Sequence, residues 1–209
     1  MNKLLIIGIG IFLFIIVFLY FSKKGKENLM NIFTKVLFRK KGTIFFHEDD
    51  YCQVEIVPKE NMSDLIKEAE NIEDFSTEYG FSDIYIRNEH SINLSQRKIK
   101  ITELESILSK LEVKKHTDVM TGYGNDYRVI SEKTIGFGKN YSAIYFDYEN
   151  GVVKNIWVSN FFEFNQDKLT DVLLEIGKKW NLVLMDWNSS ELIDLSNKEM
   201  IRKYLNSKK

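Results

Sequence analysis

The sequence predicts an α+β domain with a largely antiparallel sheet and packed helices, preceded by a single N-terminal transmembrane helix. Three observations carry that expectation. Residues 4–21 are eighteen apolar residues in unbroken succession, and residues 142–159 read SAIYFDY-ENG-VVKNIWVS, two alternating runs joined at an Asn-Gly. Between them, stretches with a 3.6-residue apolar period interrupt short strand-like runs, the pattern of helices packed on a sheet built from hairpins.

As a helix the apolar run would extend roughly 27 Å, close to the ~30 Å hydrocarbon thickness of a bilayer. Its end, Leu19-Tyr20-Phe21-Ser22-Lys23, puts bulky aromatics where a signal peptidase needs small residues, so the run reads as a retained anchor over residues 1–22. Lys3 alone precedes it, whereas Lys23, Lys24, Lys26, Lys35, Arg39, Lys40 and Lys41 follow. Positive flanks stay inside, which predicts a single-pass protein of the bacterial inner membrane with its C-terminal domain in the cytoplasm. A lone cysteine, Cys52, agrees with a reducing compartment. Residues 23–42 form a basic juxtamembrane segment. Within it Leu29, Ile32, Phe33, Val36 and Leu37 make an amphipathic stripe, suited either to the membrane interface or to packing as the domain's first helix.

The domain is expected over residues 43–209. Strands are predicted at 43–46 and 51–57 around the turn His47-Glu48-Asp49-Asp50, with Pro58 as the stop. A helix follows over about 61–75, carrying Met62, Leu65, Ile66, Ala69 and Ile72 inward, then a strand at 83–87. Thr102 to Glu105 reads as a capping box opening a helix to about Leu111, with Leu104, Ile107, Leu108 and Leu111 inward. Strands at 114–121 and 127–135 flank a glycine-bearing turn and precede the Asn-Gly hairpin. Asn165 caps a helix to about Lys179, residues 181–187 make a short strand, and Ser196 caps a last helix with Met200, Ile201, Tyr204 and Leu205 inward.

Charge is segregated along the chain. Of 29 Lys/Arg, eight lie before residue 43, and of 30 Asp/Glu only Glu27 does, which leaves the domain a net charge of about −8. Such a domain lacks the basic footprint of a nucleic-acid binder. It suits steered encounter with a basic protein, or simply solubility.

Candidate chemistry is sparse. The cluster His47-Glu48-Asp49-Asp50, with His90 and His116 elsewhere, matches no metal-ligand spacing and reads as a solvated turn or a protein-contact patch. Gly136-Phe-Gly138-Lys139 lacks the spacing of a phosphate loop and reads as turn glycines. Cys52 sits in an alternating strand and reads as a core thiol. No catalytic residue, metal site or cofactor is predicted. Trp157, Phe161, Phe162 and Phe164, at the hairpin's end and the turn beyond, are either exposed anchors or core packing.

HEDDYCQVEIVP near the domain start, the Asn-Gly hairpin with its aromatic-rich end, and LLEIGKKWNLVLMDWNSSELIDL together make residues 43–207 resemble a known group. It is the small α+β immunity proteins encoded beside bacterial polymorphic or contact-dependent toxins. The resemblance implies stoichiometric neutralisation of a toxin domain, without turnover or cofactor; the membrane anchor departs from the usual soluble form. On that reading Glu48, Asp49, Asp50, Trp157 and Phe161 are the expected contact residues. The alternative is a membrane-tethered regulatory or envelope adaptor that binds another protein.

Overall fold

The computed structural model describes residues 44–80, 85–123 and 128–208. The apolar run and the basic segment lie outside them; among the described residues no helix is long and apolar enough to cross a membrane.

The fold is α+β. A seven-stranded antiparallel sheet forms the centre, in the order β10 (Glu191–Asp194), β9 (Leu182–Asp186), β2 (Val54–Pro58), β8 (Val152–Val158), β7 (Ser142–Glu149), β6 (Thr134–Lys139), β3 (Lys115–His116). A second, three-stranded sheet pairs β1 (Phe45–His47) in parallel with β4 (Met120–Gly122), and β4 antiparallel with β5 (Val129–Ile130). Four helices are described: α1 (Met62–Tyr79), α2 (Ile101–Leu108), α3 (Gln166–Trp180) and α4 (Lys198–Ser207).

Both faces of the large sheet are covered, and this sets which residues reach the surface. On one face Val54, Ile56, Phe146, Ile156 and Leu184 pack under Leu104 and Leu108 of α2, Leu169 and Leu173 of α3, and Ile201 and Leu205 of α4. The opposite face carries two smaller cores. Leu65 of α1 packs with Val57, Val183, Met185 and Trp187, while Ile44, Phe46 and Val119 cover Ala143, Tyr145 and Trp157. Tyr145 Oη donates to the Phe45 carbonyl at 3.1 Å and ties the small sheet to the large one.

The local signals explain the elements. The β7–β8 hairpin turns through Asn150 (φ 52°) and Gly151 (φ 80°), the left-handed pair that a two-residue hairpin demands. Asn165 Oδ1 accepts from the Lys168 N–H and starts α3, as its sequence position predicts. Gly136 and Gly138 are packing glycines: a Cβ on the first would collide with the Ile44 side chain, and on the second with the Ser142 carbonyl. That close approach, rather than a phosphate, explains the Gly-Phe-Gly spacing.

Several expectations need correction. Tyr51–Gln53 form a turn, with Cys52 left-handed (φ 54°), so β2 begins only at Val54 and includes Pro58. Of the strand expected at 83–87, residues 83 and 84 lie outside the described residues and 85–87 are not strand. The helix expected at 61–75 runs to Tyr79, with Ile66 on its exposed side. No capping box forms at Thr102, because α2 already starts at Ile101. Asn197 rather than Ser196 caps α4, accepting from the Glu199 and Met200 N–H groups. Met200 is exposed, and β10 has no counterpart among the expected elements.

Candidate functional site

The acidic turn is organised by His47. Its N–H donates to Asp50 Oδ2 at 3.2 Å and its Nδ1 accepts from the Asp49 N–H at 3.3 Å, winding residues 48–50 into one 3-10 turn. This reciprocal cap gives the three acids different directions. Asp50 folds back onto the backbone, Asp49 points to solvent, and Glu48 lines a groove of about 410 Å³.

Three carboxylates from distant parts of the chain meet in that groove: Glu48, Glu132 from the β5–β6 turn, and Asp147 from β7. None of the three has a cation within ion-pair distance among the described residues. Asp147 is fixed by Tyr51 Oη at 2.8 Å and by the Asn155 backbone N–H at 2.9 Å. Phe46 and Tyr51 supply aromatic walls. A cation entering here would meet carboxylates with no ion-pair partner among the described residues, beside two aromatic side chains, a favourable setting for a lysine or arginine.

Trp157 lies beneath this groove, not on it. It is fully buried, stacks on Tyr145 at 5.5 Å and takes the edges of Tyr51 (4.8 Å) and Phe46 (5.3 Å). Of the two readings open for Trp157, packing is the one the structure shows, because β8 is an interior strand whose second face is covered by the small sheet. Phe161 is half-buried against the main core and edge-on to Tyr204, so it too serves packing. The exposed aromatic of that turn is its neighbour Phe162, at 73% exposure.

Phe162 lines a second groove, of about 510 Å³, with Phe45, Arg128, Asn140, Tyr141 and Glu163. Tyr141, at 60% exposure, sits on the tight β6–β7 turn. The two loops are laced together. Ser159 Oγ donates to the Tyr141 carbonyl at 2.6 Å, Ser142 Oγ to the Asn160 carbonyl at 3.1 Å, and the Glu163 N–H to Ser142 Oγ at 3.1 Å. Two large rings are therefore presented on a fixed frame. The grooves share β1 as a border, Phe46 lining the acidic one and Phe45 the aromatic one.

Cys52, His116 and His90 are held in structural settings. Burial, then the charges of Glu55 and Asp147, push the Cys52 thiol far up, away from the thiolate a nucleophile needs. His116 is buried against the Gly138 carbonyl at 3.2 Å, and burial lowers its pKa. His90 pairs with Glu55 at 3.1 Å. Among the described residues no group of three or more His, Cys, Asp or Glu is placed to hold a metal ion.

Of the five expected contact residues, the structure thus puts Glu48 in a groove, Asp49 and Asp50 at its turn, and Trp157 and Phe161 in packing. It adds Glu132, Asp147, Tyr51, Tyr141 and Phe162. The one sequence signal for Tyr141 was an aromatic residue on a tight turn; the convergence of Glu132 and Asp147 on Glu48 is tertiary and leaves no local trace.

Compared with known proteins, the chain matches no family model, no curated protein and no solved structure.

Proposed function

We propose that this chain is a membrane-anchored immunity protein that binds a bacterial toxin domain and neutralises it stoichiometrically. The observation that carries the reading is the pair of grooves along β1, one holding three carboxylates that have no counter-ion among the described residues, the other flanked by two exposed aromatic rings on hydrogen-bonded loops. Acidic groups steer a basic partner and set the rate of encounter, while rigid aromatics act as anchors that slow its departure. The net charge of about −8 over residues 43–209 acts in the same direction at longer range. In this reading the anchor at residues 4–21 positions the domain at the cytoplasmic side of the inner membrane and takes no part in recognition.

Co-expression of the full chain with the product of the adjacent gene tests the reading. Rescue of growth, together with co-purification of the two chains, is the expected result. A toxic product that is neither bound nor neutralised overturns immunity and leaves the tethered adaptor.

A further inference from the structure

Residues 85–93 have no regular secondary structure and lie as a strap over α1 and β2. Part of its fastening is indifferent to mild changes of pH. Asn88 gives its backbone N–H and its side-chain amide to the two oxygens of Glu68, both at 2.8 Å, and Asn61 exchanges two hydrogen bonds with Ile92 at 2.8 and 2.9 Å. Ser91 Oγ donates to Asp64 at 2.6 Å.

The remaining fastening is ionic and converges on one buried carboxylate. Glu55, with its side chain 8% exposed, receives the Trp187 indole N–H at 2.6 Å, His90 Nε2 at 3.1 Å and the Arg87 guanidinium at 3.6 Å. Arg87 also lies over the Trp187 ring at 4.7 Å and donates to the Cys52 carbonyl at 3.3 and 3.4 Å. Cys52 is left-handed, a conformation that a residue with a side chain keeps only when its surroundings impose it.

We propose that the strap is a pH-responsive clasp: protonated His90 holds it on Glu55, and loss of that proton slackens both the strap and the Cys52 turn that Arg87 pins. When His90 is neutral it can still donate a hydrogen bond, but Arg87 alone offsets a buried negative charge. Arg87 is then drawn towards Glu55 and away from the Cys52 carbonyl. Because Tyr51 precedes Cys52 and lines the acidic groove, the clasp reaches the candidate binding face.

The charges facing His90 are Glu55 from β2, Glu68 from α1 and Arg87 from the strap itself. The Glu55 hydrogen bond raises the imidazole pKa above its ordinary value, against burial and Arg87. A raised pKa contributes stability that is complete below the unfolded value of about 6.5 and is lost as pH rises through the folded value.

Hydrogen exchange of the full chain, expressed as protection factors so that intrinsic exchange is removed, tests the clasp at about pH 5.5 and about pH 8.5. Protection of residues 85–93 and 51–53 should fall roughly two- to fivefold at the higher pH, the scale of a partly exposed ion pair, while α3 stays unchanged. His90→Gln, which keeps a neutral donor, should show the lower protection at both pH values. A pH-independent strap in the native chain, or a variant that retains the dependence, overturns the proposal. Slackening confined to the strap, with residues 51–53 unchanged, overturns the coupling through Arg87. Should the variant not fold, the native chain suffices. The His90 ring and Trp187 indole resonances should titrate together, and a static indole signal contradicts the clasp.

Discussion

Glu55 on β2 stands opposite Trp157 on β8, yet among the described residues the indole N–H of Trp157 has no acceptor, while the carboxylate beside it holds hydrogen bonds with Trp187 and His90 and an ion pair with Arg87. The reason is direction. Both Glu55 oxygens are turned towards Trp187, His90 and Arg87, so the carboxylate belongs to the α1 side of the face. Trp157 belongs to the aromatic cluster under the small sheet. One pair of ladder partners thus marks the line between two separate cores.

Trp157 should therefore behave as a core residue and Phe162 as a surface one. Trp157→Ala is expected to cost about 3–5 kcal/mol in urea unfolding, and Phe162→Ala to stay within about 0.5 kcal/mol. Comparable losses for both would contradict the placement of Phe162.

Removing Glu55 should be more damaging than neutralising it. Glu55→Ala leaves the Trp187 N–H without its acceptor and the Arg87 guanidinium without its buried counter-charge, at an expected cost of about 3–5 kcal/mol. Glu55→Gln keeps an acceptor for Trp187 and should recover part of that loss. Denaturant midpoints of the two variants decide it; equal midpoints would mean that the acceptor restored to Trp187 by Gln contributes nothing.

The C-terminal corner should be acid-sensitive. Burial would raise the Asp186 carboxyl, but hydrogen bonds from Lys208 (2.8 Å) and Tyr204 (2.9 Å) outweigh it and hold the pKa below its ordinary value; Glu191 and Asp194 are lowered as well. A depressed carboxyl contributes stability above the unfolded value of about 3.9 and loses it as pH falls through the lower folded value. Asp186→Asn should cost about 1–3 kcal/mol near neutrality, with the difference from the native chain shrinking below about pH 4. A difference that stays constant with pH would remove the charge from the explanation.

Local chemistry made much of the fold legible. The Asn150-Gly151 turn and the Asn165 cap are backbone requirements written in single residues, and the apolar stripes of α2 and α3 bury as their period demands. What was hidden depends on a sheet covered on both faces. In β2 all five residues are buried, so alternation no longer separates inside from outside, and the same applies to Trp157 on β8. Caps one or two residues away from the best local candidate, as at Asn197, follow from where the chain enters the helix rather than from residue type. The acidic turn was visible as charge. Its partners Glu132 and Asp147, far along the chain, were not.

The two grooves should separate kinetically in binding. Glu48→Lys and Glu132→Lys should slow association with a basic partner, the effect shrinking as salt rises. Phe162→Ala or Tyr141→Ala should chiefly speed dissociation, by roughly 2 kcal/mol if the ring is an anchor. Surface plasmon resonance with the partner identified by co-purification distinguishes the two. Unchanged rates for all four variants would place the binding face elsewhere on the domain.

The most direct measurement is growth of cells that express the adjacent gene's product, with and without this full chain. Growth restored by the native chain, and lost when Glu48→Lys, Glu132→Lys and Phe162→Ala are combined in a protein that still folds, is the expected result. An adjacent product that remains toxic and fails to co-purify with the native chain contradicts the immunity function.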